Sequence, residues 1–366
     1  MSKEVISDKQ GIFMMVLFLS GSTSIFVSGI EAKKDSWIAI IVAVIMVFPM
    51  LLLFARLHHL YPDKDLFDIF EICFGKIIGK VLMIIFTWYT FYWAADVINN
   101  FVFFIMTVSF PETPRYVLII CLTALCAWGV RAGIEVLGKW ANLFLVVVIV
   151  GLSTTVAMLI PDMKLSHILP VFQEGMKPII KGAYSVFTQP FVQTVAFTMF
   201  FRNLERKTSS YKIYITGLLI GAAVSWVVSI TNVLAIGAKS VELYYYPTYQ
   251  TYRKINIGEF LQRVEVVIAA IFMFGGFIKI SILSLCTCKG ITRIFGWKEY
   301  RWIVTPIALL IMNMAYIEYS SVQEYFGFNT DIWPNYFMPF QIILPIITWA
   351  IAEIKNRQSK QRTIEG

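Results

Sequence analysis

The sequence predicts an all-α membrane protein of about ten transmembrane helices, and three observations carry that reading. The 366 residues are 58% hydrophobic and only 15% charged, with a mean hydropathy of +0.71. A soluble domain carries roughly 25% charged residues. The apolar residues come in blocks of about 20, the length that crosses a hydrocarbon core of about 30 Å as a helix. The blocks use nearly the whole chain, so residues 1–366 form a single membrane domain with no soluble domain left over.

The expected spans are 11–30, 36–56, 80–108, 115–131, 139–160, 183–201, 213–237, 264–286, 302–318 and 337–354. The first is followed by Glu31-Ala32-Lys33-Lys34-Asp35, not by a small-residue cleavage site, so it reads as a membrane helix and not as a leader. Before the third span, residues 61–79 set Leu66, Phe67, Ile69, Phe70 and Ile72 among Asp65, Asp68 and Glu71. That pattern predicts a short amphipathic helix on the inner membrane surface. The third span carries Tyr89, Tyr92, Trp93, Asp96 and Asn100 at steps of three and four, which puts them on one side of a helix. After the seventh span, Tyr244, Tyr245, Tyr246, Tyr249 and Tyr252 read as an interfacial aromatic belt.

With the N-terminus inside, about 20 of the Lys and Arg residues fall in inner segments and about 10 in outer ones. Both termini are then cytoplasmic, which needs an even number of spans. This asymmetry accounts for the formal net charge of +8 without invoking nucleic acid.

Divided into halves of five, about 11–160 and 183–354, the chain shows an interruption in the first span of each. One is Ser20-Gly21-Ser22-Thr23-Ser24. The other is Thr188-Gln189-Pro190, with Gln193 and Thr194 just after. Unwound segments free backbone groups that hydrocarbon cannot satisfy, so they belong where a polar cavity is lined. Breaks at matching places in two halves are the sequence mark of a transporter-type binding site. Close packing of Gly and Ser between helices is the other reading of either break alone.

Lys279 lies inside the eighth span, where a charge costs about 2.5–3.5 kcal/mol. It can pair with a substrate carboxylate, stand where a bound cation would sit, exchange a proton, or snorkel to the inner interface. Asp96 is the carboxylate deep in the third span, a partner for Lys279, for the cavity or for a neighbouring helix. The five cysteines form no CxxC pair, and the adjacent His58 and His59 point different ways on a helix, so no metal site is expected. There is no GxSxG, HExxH or Walker A pattern in a plausible context, so no enzyme and no cofactor is expected.

Over nearly its full length the chain resembles the B subunits of spore germinant receptors, the GerAB or endospore germination permease family of the amino acid–polyamine–organocation superfamily. The resemblance rests on Gln10-Gly11-Ile12 before the interrupted first helix, on Tyr61-Pro62, Leu66-Phe67 and Phe74-Gly75-Lys76 with Gly79, and on the run Leu169-Pro170-Val171-Phe172-Gln173-Glu174-Gly175-Met176-Lys177-Pro178-Ile179. Arg202 to Lys207, Tyr246-Pro247 and Arg263 with Glu265 complete it. It implies a LeuT-like fold of two inverted five-helix repeats with helices 1 and 6 broken, in the spore inner membrane. It implies a small nutrient germinant, often an amino acid, bound at the centre, and A-type and lipoprotein C-type partner subunits. The site would then comprise Gly21, Ser22, Thr23, Tyr92, Trp93, Asp96, Gln189, Pro190, Gln193, Thr194 and Lys279. Many relatives carry an acid in the sixth helix where this chain has Gln193. Three functions follow: a germinant-sensing subunit, a proton-coupled amino acid permease, or a structural subunit with a degenerate site.

Overall fold

In the computed structural model, residues 4–206, 209–254 and 264–365 are described, with side chains for all of them except Ser22, Phe201 and 359–365. Ten membrane-crossing segments follow one another. They are built on α1 (Asp8–Thr23), α2 (Ser36–Leu60), α3 (Leu66–Val108), α4 (Arg115–Ala132), α5 (Ile134–Leu159), α6 (Met176–Val186), α7 (Ser209–Ile236), α8 (Glu265–Phe295), α9 (Val304–Glu318) and α10 (Leu344–Glu365). Among the described residues, six helices are long and apolar enough to cross a membrane. Three of the others are short: α1, α6 and α9 have 16, 11 and 15 residues. α3 is a long helix of 43 residues turned at Gly75.

Both ends of the chain lie at one face. Ile6 pairs with Leu204, the backbone N–H of Val5 donates to Glu135 at 2.7 Å, Glu4 pairs with Arg301, and Lys355 donates to the carbonyl of Ile72. Ser7 caps α1, its hydroxyl and backbone exchanging hydrogen bonds with Gln10.

Glycines set the approach of α1 to its neighbours. A Cβ on Gly21 would meet the carbonyl carbon of Gly275 on α8 at 2.6 Å, and one on Gly275 would meet the Cα of Gly21 at 2.5 Å. The two backbones touch, which only Gly facing Gly allows. On the other side of α1, Met15 and Leu19 seat against Gly217 and Gly221 of α7, one turn apart. Outward-facing apolar residues such as Ile45, Val150 and Leu310 are exposed and suit a lipid belt.

Three expectations change. Residues 66–75 are helical, but their apolar face is turned onto protein. Leu66, Phe67, Ile69 and Phe70 are fully buried, and Arg293 of α8 pairs with Asp65 and Asp68. Gly75, at φ 79, makes the turn into the rest of α3. The tyrosine-rich connection is an interfacial belt only in part, because Tyr246 and Tyr252 are buried in the core while Tyr244 and Tyr245 are exposed. The tenth span starts earlier than 337. It runs through short pieces at Val322–Gly327, Phe328–Ile332, Trp333–Tyr336 and Pro339–Ile343 before α10, where Pro334 and Pro339 interrupt the ladder.

Candidate functional site

Both expected interruptions are present. α1 ends at Thr23 and the chain runs without helix through residues 24–29, four to five residues later than Ser20–Ser24. The freed groups find partners. Ser28 N–H donates to Ser229 Oγ of α7 at 2.9 Å, and Thr248 N–H donates to Ile25 C=O at 3.4 Å. After α6, Phe187–Phe191 is a wide turn with Gln189 out of helical geometry at φ −145 and ψ 105, and Val192–Asn203 continues as a tight helix. Its loose carbonyls accept from nearby hydroxyls: Thr188 to Tyr184 and Ser185, Thr194 to Phe191, and Thr198 to Val195. Side-chain hydroxyls take over the role the backbone has given up.

The breaks face one cavity of about 370 Å³. Its walls include Thr23 and Phe26 to Glu31 from the first break, and Ser185, Val186, Gln189 and Pro190 from the second. α3 contributes Trp93, Asp96 and Asn100, and α8 contributes Lys279. The mouth lies between the connections at 28–31, 241–247 and 325–330, on the face opposite the chain ends. Towards the chain ends the bundle is packed by Phe18, Phe197, Phe200 and Tyr214, leaving a void of only about 10 Å³.

At the floor, Lys279 is 1% exposed. Its ammonium donates to Gln193 Oε1 at 2.8 Å and lies 5.0 Å from the ring centre of Phe18 and 5.3 Å from that of Trp93. A cation between two aromatic faces gains from both quadrupoles. This arrangement removes the snorkelling alternative. Asp96 Oδ1 accepts from Tyr319 OH at 2.9 Å and from Asn329 Nδ2 at 3.0 Å. Asn329 Oδ1 in turn accepts from Gln189 Nε2 at 3.0 Å, so one amide bridges α3 to the second break.

Of the residues the sequence points to, Thr23, Trp93, Asp96, Gln189, Pro190 and Lys279 line the cavity. Gln193 stands behind the wall as the partner of Lys279, and buried Thr194 braces the tight helix. Gly21 is spent on the contact with Gly275. Tyr92 is half-buried and turns from the cavity toward Phe328 and Phe337. The Ser22 side chain lies outside the described residues, as does Arg263. Sequence reasoning missed Asn329, Tyr319 and Tyr325, because residues 319–336 read as a loop. It also missed Glu31, taken as part of a connecting charge run. Pro334 and Pro339 after a polar Asn-Thr-Asp stretch were the available signal of a third interrupted span.

A family model described as "Spore germination protein" matches residues 5–322. The chain belongs to the spore germination protein family. It is 26% identical to "Spore germination protein KB" of Bacillus subtilis (strain 168), over 99% of this chain and 98% of that protein. It is 25% identical to the "Putative spore germination protein YfkT" of the same strain, over 89% of each, and 21% identical to "Spore germination protein XB" of Bacillus anthracis, over 94% of this chain and 99% of that one. Among solved structures this family member resembles Mhp1, a nucleobase-cation-symport-1 family transporter, with a TM-score of 0.68 at 10% identity over 94% of this chain and 78% of that one. It also resembles MhsT in complex with L-phenylalanine, with a TM-score of 0.65 at 12% identity over 95% and 89%. The fold of this spore germination protein is therefore the LeuT-like inverted repeat with helices 1 and 6 broken.

Proposed function

We propose that this chain is the germinant-sensing membrane subunit of a spore germination receptor. In this reading a small nutrient, an amino acid in the first instance, binds between the two helix breaks and favours one conformation by binding it more tightly than the other. The shift passes to A-type and lipoprotein C-type partner subunits. The chain sits in the spore inner membrane with both termini cytoplasmic, its repeats spanning about 11–160 and 183–354, and performs no covalent chemistry. The observation that carries the reading is the cavity itself, lined by both breaks, floored by Lys279 and open to the face away from the chain ends. A bound amino acid in MhsT, which shares the fold, supports it. The basic residues gathered with the chain ends support the orientation.

The test is germination of spores carrying Trp93→Ala or Lys279→Ala against a panel of amino acids and sugars, with protein level checked by blot. A response shifted to higher concentration at normal protein level supports the sensing site. Unchanged responses to every compound overturn it. A second reading, a working proton-coupled permease, is favoured by the two ionisable groups on one cavity, Asp96 and Lys279. Uptake into proteoliposomes driven by a proton gradient separates it from a sensor that binds without transport.

A further inference from the structure

The walls of the cavity are unbalanced in charge. Three carboxylates line it, Glu31, Asp96 and Glu242, against one ammonium, Lys279. Asp96 is held by neutral donors, Tyr319 and Asn329. Two other oxygens of lining residues are buried and accept no hydrogen bond from any described residue: Glu31 Oε2 and Asn100 Oδ1. The Asn100 residue is 6% exposed. A buried acceptor left alone costs about 1–3 kcal/mol, more when it is charged, and a ligand donor recovers that cost. The mouth is also aromatic. Tyr245 stacks on Phe326 at 4.7 Å and Tyr325 meets Phe326 edge-on at 5.3 Å. Such faces attract cations and disfavour anions, because the face of the ring quadrupole is negative.

Resting on the reading of this cavity as a ligand site, we propose that its ligand carries cationic amino groups in excess of carboxylates, as a basic amino acid or a simple amine does. Glu31 and Asn100 are the acceptors of the amino group, with the aromatic mouth above them. A ligand carboxylate, where there is one, turns to Lys279. A volume of about 370 Å³ holds a molecule of this size.

The experiment uses the full-length chain in detergent and follows its thermal unfolding with L-lysine, L-alanine, L-glutamate and D-glucose as probes. The expected order of apparent affinity is lysine above alanine, by about tenfold, with glutamate and glucose weakest. Glu31→Gln, an isosteric change, removes the lysine preference. Asn100→Asp adds a second charged acceptor and raises lysine affinity, and this variant decides the matter where Glu31→Gln does not accumulate. Glutamate or glucose binding as tightly as lysine overturns the charge assignment while leaving the cavity reading intact. A lysine preference untouched by both variants overturns the roles of Glu31 and Asn100. Stabilisation by none of the four probes removes the cavity reading and this inference with it.

Discussion

Replacing Lys279 with Met separates support of the fold from contact with a ligand. The change removes the hydrogen bond to Gln193, worth about 1.5–3 kcal/mol because its donor is charged. It also removes the contacts with Phe18 and Trp93, together about 1–2 kcal/mol. Against this it relieves the burial of a charge within a membrane helix, about 2.5–3.5 kcal/mol on the insertion scale. The opposing contributions cancel to within about 2.5 kcal/mol, and Met fills most of the same space. The variant is therefore expected to accumulate in membranes and to unfold near the wild-type temperature. The double variant Lys279→Met, Gln193→Leu, which removes the stranded amide, is expected to be at least as stable. Ligand response behaves differently. Removing one partner of a desolvated charge pair costs about 2–5 kcal/mol, a shift of thirtyfold or more in effective concentration. Membrane level by blot, unfolding temperature in detergent and dose–response of germination together decide. A variant that fails to accumulate, and is not rescued by Gln193→Leu, makes Lys279 a structural pin. One that accumulates and responds at the wild-type concentration takes Lys279 out of the site.

Gly21→Ala and Gly275→Ala each drive a methyl into backbone at 2.5–2.6 Å, so both should lower membrane accumulation sharply, whereas Gly327→Ala, with open space around it, should leave the level unchanged. Asp35→Ala removes the acceptor of Phe172 N–H, bonded at 3.0 and 3.2 Å, and is expected to cost about 1–3 kcal/mol and to open residues 169–175 to limited proteolysis. Asp8 is held below its ordinary pKa of 3.8 chiefly by the Ser209 hydroxyl, with Lys212 adding to the effect. Its folded value is depressed, so its stabilisation is present above 3.8 and is lost as pH falls through the folded value. Asp8→Asn should therefore lower the unfolding temperature at neutral pH and flatten its decline on the acid side.

The ten spans were legible because lipid imposes a minimum length and a composition on every crossing. The two breaks were legible because Gly, Ser and Pro cluster where a continuous apolar run is otherwise expected. What periodicity could not resolve was direction within a helix. Tyr89, Tyr92, Trp93, Asp96 and Asn100 fit one side of α3, yet Tyr92 leans out toward Phe328 while Asp96 turns into the cavity, because a face about 100° wide contains more than one environment. Gly21 suited a hinge and a helix contact equally well, and the contact with Gly275 decided it, a partner 254 positions away that no local pattern reveals. Asn329 was hidden for a related reason. Its segment is too polar and too interrupted to read as membrane, since it faces the cavity and not lipid. The positions hardest to read were those whose environment is made by distant parts of the chain.

The most distinctive run of the sequence, residues 169–179, is absent from the cavity walls, and its contacts explain what it does instead. The ammonium of Lys34 donates to the Leu169 carbonyl at 2.9 Å, Asp35 accepts from Phe172 N–H, and Lys33 pairs with Glu174 at 2.7 Å. These three residues belong to the segment that follows the first break, and the run leads directly into α6 and the second break. One turn further on, a Cβ on Gly182 would meet the Gly29 carbonyl at 2.9 Å, so α6 also rests on the first break itself. The two interrupted segments are thus tied together above the cavity and cannot shift independently without breaking these contacts, of which the part-buried Asp35–Phe172 bonds are the best shielded. In the proposed reading, a ligand that pulls on either break would displace both and so bias the whole bundle; residues 169–179 sit at the joint between the breaks, where a substitution would loosen the response while leaving every cavity contact in place.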